Sequence, residues 1–343
     1  MKLIRTQDAA GHVLCHDITK IVKGVTKDAA FRKGHVVTEE DIPELLSLGK
    51  ENLYVWEMQE GMLHEDEAAE ILYEICAGND MNPSEVKEGK IEIIAGRDGL
   101  FLVDVQRLNK INSLGDIMIA TRHSGFTVHK GDKLAGTRII PLVIGEEKMR
   151  EAQEIGAGVP LLSLHPFKEK KAGIVTTGSE VFYGRIEDTF TPVIEAKLAE
   201  FGAAAVEKVT LPDAPEEITA AILSMIRNGL DMVFCTGGMS VDPDDRTPLA
   251  IKNTGAQVVS YGAPVLPGAM FMLAYFEGKT PVVGLPGCVM YAQRTIFDLM
   301  LPSLIADVPI TPEGLAALGN GGLCLNCDHC SFPNCGFGKG VSI

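Results

Sequence analysis

Three glycine turns stand where parallel strands would end: Thr177-Gly178-Ser179-Glu180, Thr236-Gly237-Gly238-Met239-Ser240 and Gly284-Leu285-Pro286-Gly287. Each follows an apolar run of strand length, and open parallel sheets bind ligands beyond the carboxyl ends of their strands. The first turn offers a hydroxyl and a carboxylate. The second offers backbone N–H groups that two glycines let a ligand approach, as in a phosphate nest. The third is expected to open the last long helix, whose free N–H groups and dipole favour an anion. A glycine at one strand end is commonly turn chemistry alone. Three in one stretch point to a single anion-binding rim.

Carboxylates crowd the second turn. Asp242-Pro243-Asp244-Asp245 would repel a bare phosphate, which suits Mg²⁺ bridging carboxylate and phosphate oxygens. The competing reading is a solvated turn in which Asp245 caps a helix over 246–254.

A second chemistry sits in the tail. Cys324, Cys327, Cys330 and Cys335 form C-x2-C-x2-C-x4-C, close to a ferredoxin-type run but with Pro333 before the last cysteine. Four thiolates also satisfy tetrahedral zinc, so an Fe–S cluster, Zn²⁺ and four free thiols all stay open. A secreted disulfide framework would spread its cysteines instead of clustering them. His12, Cys15, His16 and Asp17 read as ordinary strand residues, with the two histidines on one face. Cys288 follows the third turn at an expected helix start, where a thiol pKa is commonly lowered; Cys235 reads as strand packing. Neither is assigned as a nucleophile.

These residues must be positioned by the elements around them. The first half mixes short elements. Helices are expected over 36–49 with Thr38 as N-cap, 64–78, 104–115 and 146–156. Strands are expected over 52–56, 117–121 and 134–144, with 90–95 and 98–103 paired around Gly96–Gly99. A charged, proline-containing stretch at 165–173 marks a boundary. Beyond it strands at 172–176, 204–210, 231–235, 256–261, 269–276 and 281–284 alternate with helices at 190–202, 215–229, 246–254 and 289–306. That alternation predicts a three-layer α/β domain with a mostly parallel sheet, preceded by a smaller α+β region. The organisation expected is residues 1–165, 166–310 and a Cys-rich tail at 311–343.

Bulk properties exclude several classes. The chain has 343 residues, 46% hydrophobic, with a net charge of −15. Nucleic acid and anionic membrane surfaces are therefore not expected as partners, since both need clustered Lys and Arg. The start MKLIRTQDAAG lacks an apolar signal-peptide core, and no apolar run approaches spanning length, so a cytoplasmic protein is expected.

The ordered set TTGSEV, GRIEDT, CTGGMSVDPDD, VLPGAMF and GLPGCVMY, over about 170–308, resembles the molybdopterin-binding domain shared by MoeA and MogA types and gephyrin. The resemblance implies molybdopterin, its adenylylated form or the finished molybdenum cofactor as a small-molecule pterin ligand. It implies that Thr177, Gly178, Ser179 and Glu180 line a first wall, with Asp188 as the acidic residue of the following loop. It places Gly237, Gly238, Ser240 and Asp245 on the second loop, Pro267 and Gly268 on a connecting turn, and Pro286 and Gly287 at the phosphate end. Thr236, Met239 and Asp242 complete the binding set, with Glu180, Asp188 and Asp245 as candidate catalytic carboxylates. Segments 11–18 and 31–49 are remotely MoeA-like, but the DNSAMDG-type segment is missing. Thr189-Phe190 replaces the family's Ser/Thr-Asn, Asp242 and Pro243 stand where Gly and Glu are usual, and Leu266 and Ala269 stand where lysines are common. Three roles follow: a Mg²⁺-dependent molybdopterin transferase, a carrier handing cofactor to a molybdoenzyme, or a CinA-like hydrolase of a phosphorylated small molecule. Resemblance also implies a homo-oligomer.

Overall fold

The computed structural model describes residues 2–22, 26–55, 60–240, 242 and 245–340; Trp56, Pro243 and Asp244 lie outside them. The chain divides into two compact units. The first comprises Met1–Arg97, Val103–Arg122 and Lys130–Leu164; the second comprises Asp98–Leu102, His123–His129 and His165–Ile343.

The second unit carries the glycine turns. Its central strands are near-continuous apolar runs, as required where both faces of a sheet are covered. Six strands form: β1 Lys171–Thr177, β2 Ala204–Leu211, β3 Met232–Thr236, β4 Gln257–Tyr261, β5 Met272–Phe276 and β6 Thr280–Leu285. Their order across the sheet is β2-β1-β3-β6-β5-β4. Neighbours β2, β1, β3 and β6 run parallel. Strand β5 runs antiparallel to both its neighbours. It returns directly into β6 through Glu277 and Gly278, both at positive φ, where a parallel connection would need a crossover.

Helices α1 Phe190–Ala199, α2 Pro215–Arg227, α3 Thr247–Asn253 and α4 Ile296–Ile305 form the outer layers. The period of two sorts the strand side chains between them. Ile174, Phe234, Leu273 and Val283 pack with Ile194 and Leu198 of α1 and Phe297 and Leu301 of α4. Val175, Val233, Met272 and Val282 pack with Ile218 and Ile222 of α2 and Ala250 and Ile251 of α3. The result is the three-layer α/β arrangement that the alternation predicts. Leu315 and Phe337 from the tail enter the α1–α4 core.

The last helix begins later than the sequence suggests. Thr295 Oγ1 accepts from Phe297 N–H (3.2 Å), and Asp298 Oδ2 accepts from Thr295 N–H (2.7 Å), a capping box that starts α4 at Ile296. Gly287–Met290 forms only a 3₁₀ turn. The dipole of α4 therefore does not open at the third glycine turn, which corrects that expectation.

In the first unit, strands Met81–Pro83, Ile91–Ala95, Lys133–Ile139 and Ile117–Thr121 form one antiparallel sheet in that order. Strand Ile91–Ala95 does not pair with Gly99–Val103, because both its edges are taken by Met81–Pro83 and Lys133–Ile139. Gly99–Val103 pairs with Phe126–Val128 instead. The helix expected over 36–49 is reduced to Ile42–Ser47, where Asp41 Oδ2 takes the Thr38 N–H. Residues 11–18 carry isolated bridges at Val13 and Leu14 and no continuous strand before Ile18, so the face argument for His12 and His16 does not apply. Among the described residues, no helix is long and apolar enough to cross a membrane.

One buried charge cluster ties α1 to α4. The Asp298 side chain is 3% exposed and its Oδ1 accepts from Lys197 Nζ and Arg294 Nη1. Removing the carboxylate would leave a buried ammonium without its partner and uncap α4. Asp298→Ala is expected to lower unfolding free energy by about 3–5 kcal/mol, read as a shift in the denaturant midpoint. A loss below about 1 kcal/mol would show that Lys197 finds another partner.

Candidate functional site

Parallel β1, β3 and β6 end together, with Thr176 beside Thr236 and Thr236 beside Leu285. The loops leaving these ends are the three glycine turns.

The second loop is shaped by close approach. Gly237 lies at φ +80°, and a Cβ there would stand 2.0 Å from the Thr177 carbonyl oxygen. Gly238, at φ +51°, would place its Cβ 3.0 Å from Thr247 Oγ1. The Thr177 and Thr247 hydroxyls hydrogen-bond at 3.0 Å, and Thr247 N–H donates to Gly238 O (3.2 Å). Asp245 Oδ2 accepts from Ser240 N–H (2.8 Å), and Asp245 N–H donates to Asp242 O (2.9 Å). Tyr261 Oη donates to Met239 O (3.2 Å) and Ser240 O (3.3 Å). Burial, and then the Asp245 charge, push the Tyr261 pKa up, so the phenol stays a donor. Asp245 is thus a brace of its own loop and does not cap α3, whose N-cap Arg246 makes no side-chain cap. Thr236 Oγ1 is buried beneath the loop with no hydrogen-bond partner among the described residues.

Residues of the second and third loops line one cavity of about 500 Å³. Gly237, Gly238, Met239, Ser240 and Asp245 line one side, and Pro286, Gly287, Cys288, Met290 and Tyr291 the other, with Ala269 and Met270 between. Among the described residues, Asp245 is the one charged group in this lining. Gly287 differs from the loop glycines: its φ is ordinary and a Cβ would meet nothing within 4 Å. Pro267 lines a separate cavity, and Gly268 packs where a Cβ would lie 2.4 Å from Ile296 Cγ2.

The first turn contributes no lining residue to this cavity. Ser179 N–H (3.0 Å) and Oγ (3.2 Å) both donate to Asp213 Oδ2, so a carboxylate of the protein already occupies its donors. Thr177 is buried, Gly178 sits at φ +134° against the Glu180 carboxylate, and Glu180 itself is exposed. Asp188 Oδ1 accepts from Phe190 N–H (2.9 Å) and Thr191 N–H (3.1 Å). Its Oδ2 accepts from Thr176 Oγ1 (3.0 Å) and Thr191 Oγ1 (2.5 Å). Burial works to raise this carboxyl's pKa, but the hydrogen bonds from Thr191, Thr176 and Phe190 outweigh it and hold the group below the usual carboxylate range. Asp188 therefore anchors the start of α1, and the Thr189 hydroxyl donates to Met290 Sδ to bring that loop against the third turn.

The Cys288 thiol is half-buried and burial raises its pKa, the reverse of the lowering expected at a helix start, since no long helix begins there. Burial pushes Cys235 to about 12. Among the described residues, no three His, Cys, Asp or Glu side chains stand close enough to hold a single ion. The four tail cysteines are therefore not gathered on one point, although all line one cavity. Sequence reasoning misses Asp213, Thr247 and Tyr261. Asp213 precedes Pro215 at a strand-to-helix loop, a detectable signal; nothing local marks Tyr261.

With this geometry in hand, comparison with known proteins adds the following. Residues 173–306 match the family model described as a probable molybdopterin binding domain, and residues 3–57 match a domain of unknown function (DUF8806). A CinA-like protein of Mycobacterium tuberculosis is 36% identical over 77 residues, 22% of this chain and 18% of its own length. The chain thus spans about a fifth of the length of the curated relatives it matches. Among solved structures, the CinA protein of Thermoplasma acidophilum has 20% identity over 40% of this chain and 99% of its own, with a TM-score of 0.35. The molybdopterin biosynthesis enzyme MoaB of Thermus thermophilus has 25% identity over 41% of this chain and 98% of its own, with a TM-score of 0.34.

Two outcomes are expected from this geometry. Gly237→Ala combines a left-handed backbone with a collision against Thr177 O, and should destabilise the second unit by at least about 2 kcal/mol in chemical denaturation. Asp188 has a depressed folded-state pKa, so its stabilisation is complete above the ordinary carboxyl pKa of about 3.9 and is lost as pH falls through the folded value. Asp188→Asn should flatten that acid limb in denaturant midpoints measured from pH 6 down to about pH 2; an unchanged limb would remove Asp188 as its source.

Proposed function

We propose that the second unit binds a molybdopterin-type ligand, whether molybdopterin, its adenylylated form or the finished molybdenum cofactor, in the biosynthesis or maturation of that cofactor. The ligand's phosphate end lies between Gly237–Ser240 and Pro286–Gly287. Gly287 carries this reading. Gly237 and Gly238 are required by the fold, whereas Gly287 has room for a side chain and leaves it empty within the cavity lining. The missing side chain serves the space and not the backbone. The match of residues 173–306 to a probable molybdopterin binding domain supports the pterin class.

Recognition falls to dipoles. Among the described lining residues there is no Lys or Arg, so backbone N–H groups and the Ser240 hydroxyl meet the phosphate. Asp245 faces the same cavity and Asp242 lies in the same turn. Mg²⁺ is ordinarily held by one or two carboxylates plus substrate phosphates, and Asp245 in the lining would contribute to such a donor set. The ion would screen phosphate from carboxylate, while Asp245 keeps Ser240 in place through its N–H. Glu180 and Asp188 stand apart from this pair, Asp188 with its oxygens engaged by its own loop. A cation-poor lining favours holding and delivering the cofactor to a molybdoenzyme over molybdenum insertion, where charge must be stabilised by positive groups.

Gly287→Leu tests the site. The side chain should fill the cavity, weaken binding of anaerobically released molybdopterin at least about tenfold in titration, and leave the thermal midpoint unchanged. Equal affinity in the variant would place the ligand elsewhere. A CinA-like role is the competing reading, supported by the 77-residue match. Turnover of a nucleotide panel, abolished by Asp245→Ala, would favour it.

A further inference from the structure

The tail builds a second cavity, of about 520 Å³, that the pterin reading does not use. All four of Cys324, Cys327, Cys330 and Cys335 line it, together with Arg294 and Phe332. The walls are held by backbone. Leu266 N–H donates to Gly322 O (2.8 Å) and Cys324 N–H to Leu266 O (2.8 Å), which pairs the tail with the segment before Pro267. Gly338 N–H donates to Gly321 O (3.0 Å), and a Cβ on Gly340 would stand 1.8 Å from Asn320 O. Residues 338–340 are thus folded tightly back on 320–322, and Phe337, 4% exposed, packs into the core.

A fixed cation faces the thiols. Arg294 is paired with Asp298 (2.8 Å), its guanidinium lies 5.0 Å from the Phe332 ring centroid, and it hydrogen-bonds Cys330. Leu323, Phe332 and Phe337 add apolar side chains to the lining. A single zinc would need four sulfurs about 2.3 Å from one point. The described residues hold no such convergence of even three ligands. A four-iron cluster attaches each cysteine to a different iron, so its ligands ring a volume instead of meeting at a point.

We propose that Cys324, Cys327, Cys330 and Cys335 bind an iron–sulfur cluster in this cavity, with Arg294 as a positioning residue for Cys330. Tyr291 lines both this cavity and the anion cavity, so the cluster lies beside the pterin site. The inference does not depend on the pterin reading.

The experiment is anaerobic reconstitution of the full chain with ferrous iron and sulfide, followed by iron, sulfide and zinc analysis, visible absorption and electron paramagnetic resonance of the reduced protein. Iron and acid-labile sulfide should be retained in equal amounts, about four per chain, with broad sulfide-to-iron absorption. Cys327→Ser and Cys330→Ser change exposed residues and should abolish the absorption while the thermal midpoint of the α/β core persists. Arg294→Lys should keep the iron but shift the resonance signal or the reduction potential. Cys288→Ser, outside the cavity, should retain the full cluster. One tightly held zinc per chain with no stable cluster would overturn the proposal, as would paired disulfides with no metal, or iron retained in both Cys variants.

Discussion

The Thr177 carbonyl and the Gly237 backbone approach more closely than any side chain would permit, and the rim of the sheet is arranged around that contact. A Cβ at 237 would stand 2.0 Å from the oxygen. With it excluded, the second loop lies flat over the end of β1, and Thr177 and Thr247 join hydroxyls across 70 residues of sequence. Thr247 N–H then holds Gly238 O, which sets where α3 begins. Asp245 takes the Ser240 N–H, and Tyr261 donates to the Met239 and Ser240 carbonyls. What reaches the cavity is a rigid backbone surface, and rigid dipoles recognise an anion without the ordering cost of a long cationic side chain.

Carboxylates organise this acidic chain more than cations do. Asp213 closes the first turn by taking both Ser179 donors, Asp188 closes the next loop by taking four, and Asp245 closes the second turn. Each satisfies N–H or O–H groups that a strand-end loop leaves open. The consequence for function is selective. The Ser179 donors of the first turn are taken by the protein itself, and the proposed ligand is therefore assigned to the second and third turns.

Asp298 extends the same logic into the core and the tail. Its two oxygens serve the α4 cap, the buried Lys197 and Arg294. Arg294 in turn stacks on Phe332 and contacts Cys330. A carboxylate buried for helix capping therefore also fixes a cation in the lining of the tail cavity.

Much of the fold was legible in the sequence, because strand and helix periods are local. Helix 146–156 occurs where its pattern ends, and the six strands of the sheet follow the apolar runs. The turns that bear Gly237 and Gly287 were legible for the same reason, since a strand end followed by glycine is written in adjacent residues. Which turns would share a cavity was not. Asp213 captures Ser179 from 34 positions away, and no period announces that contact. The start of α4 was written in Thr295 and Asp298, yet the glycine turn upstream offered an equally local alternative, and capping by buried groups decided between them. Strand 91–95 similarly lost its nearest partner because Met81–Pro83 and the remote Lys133–Ile139 occupied both its edges. Composition and spacing thus determined the elements, the glycine turns and the cysteine cluster. Only the tertiary structure decided which of them face one another, because that choice rests on buried hydrogen bonds and steric contacts between residues far apart in the chain.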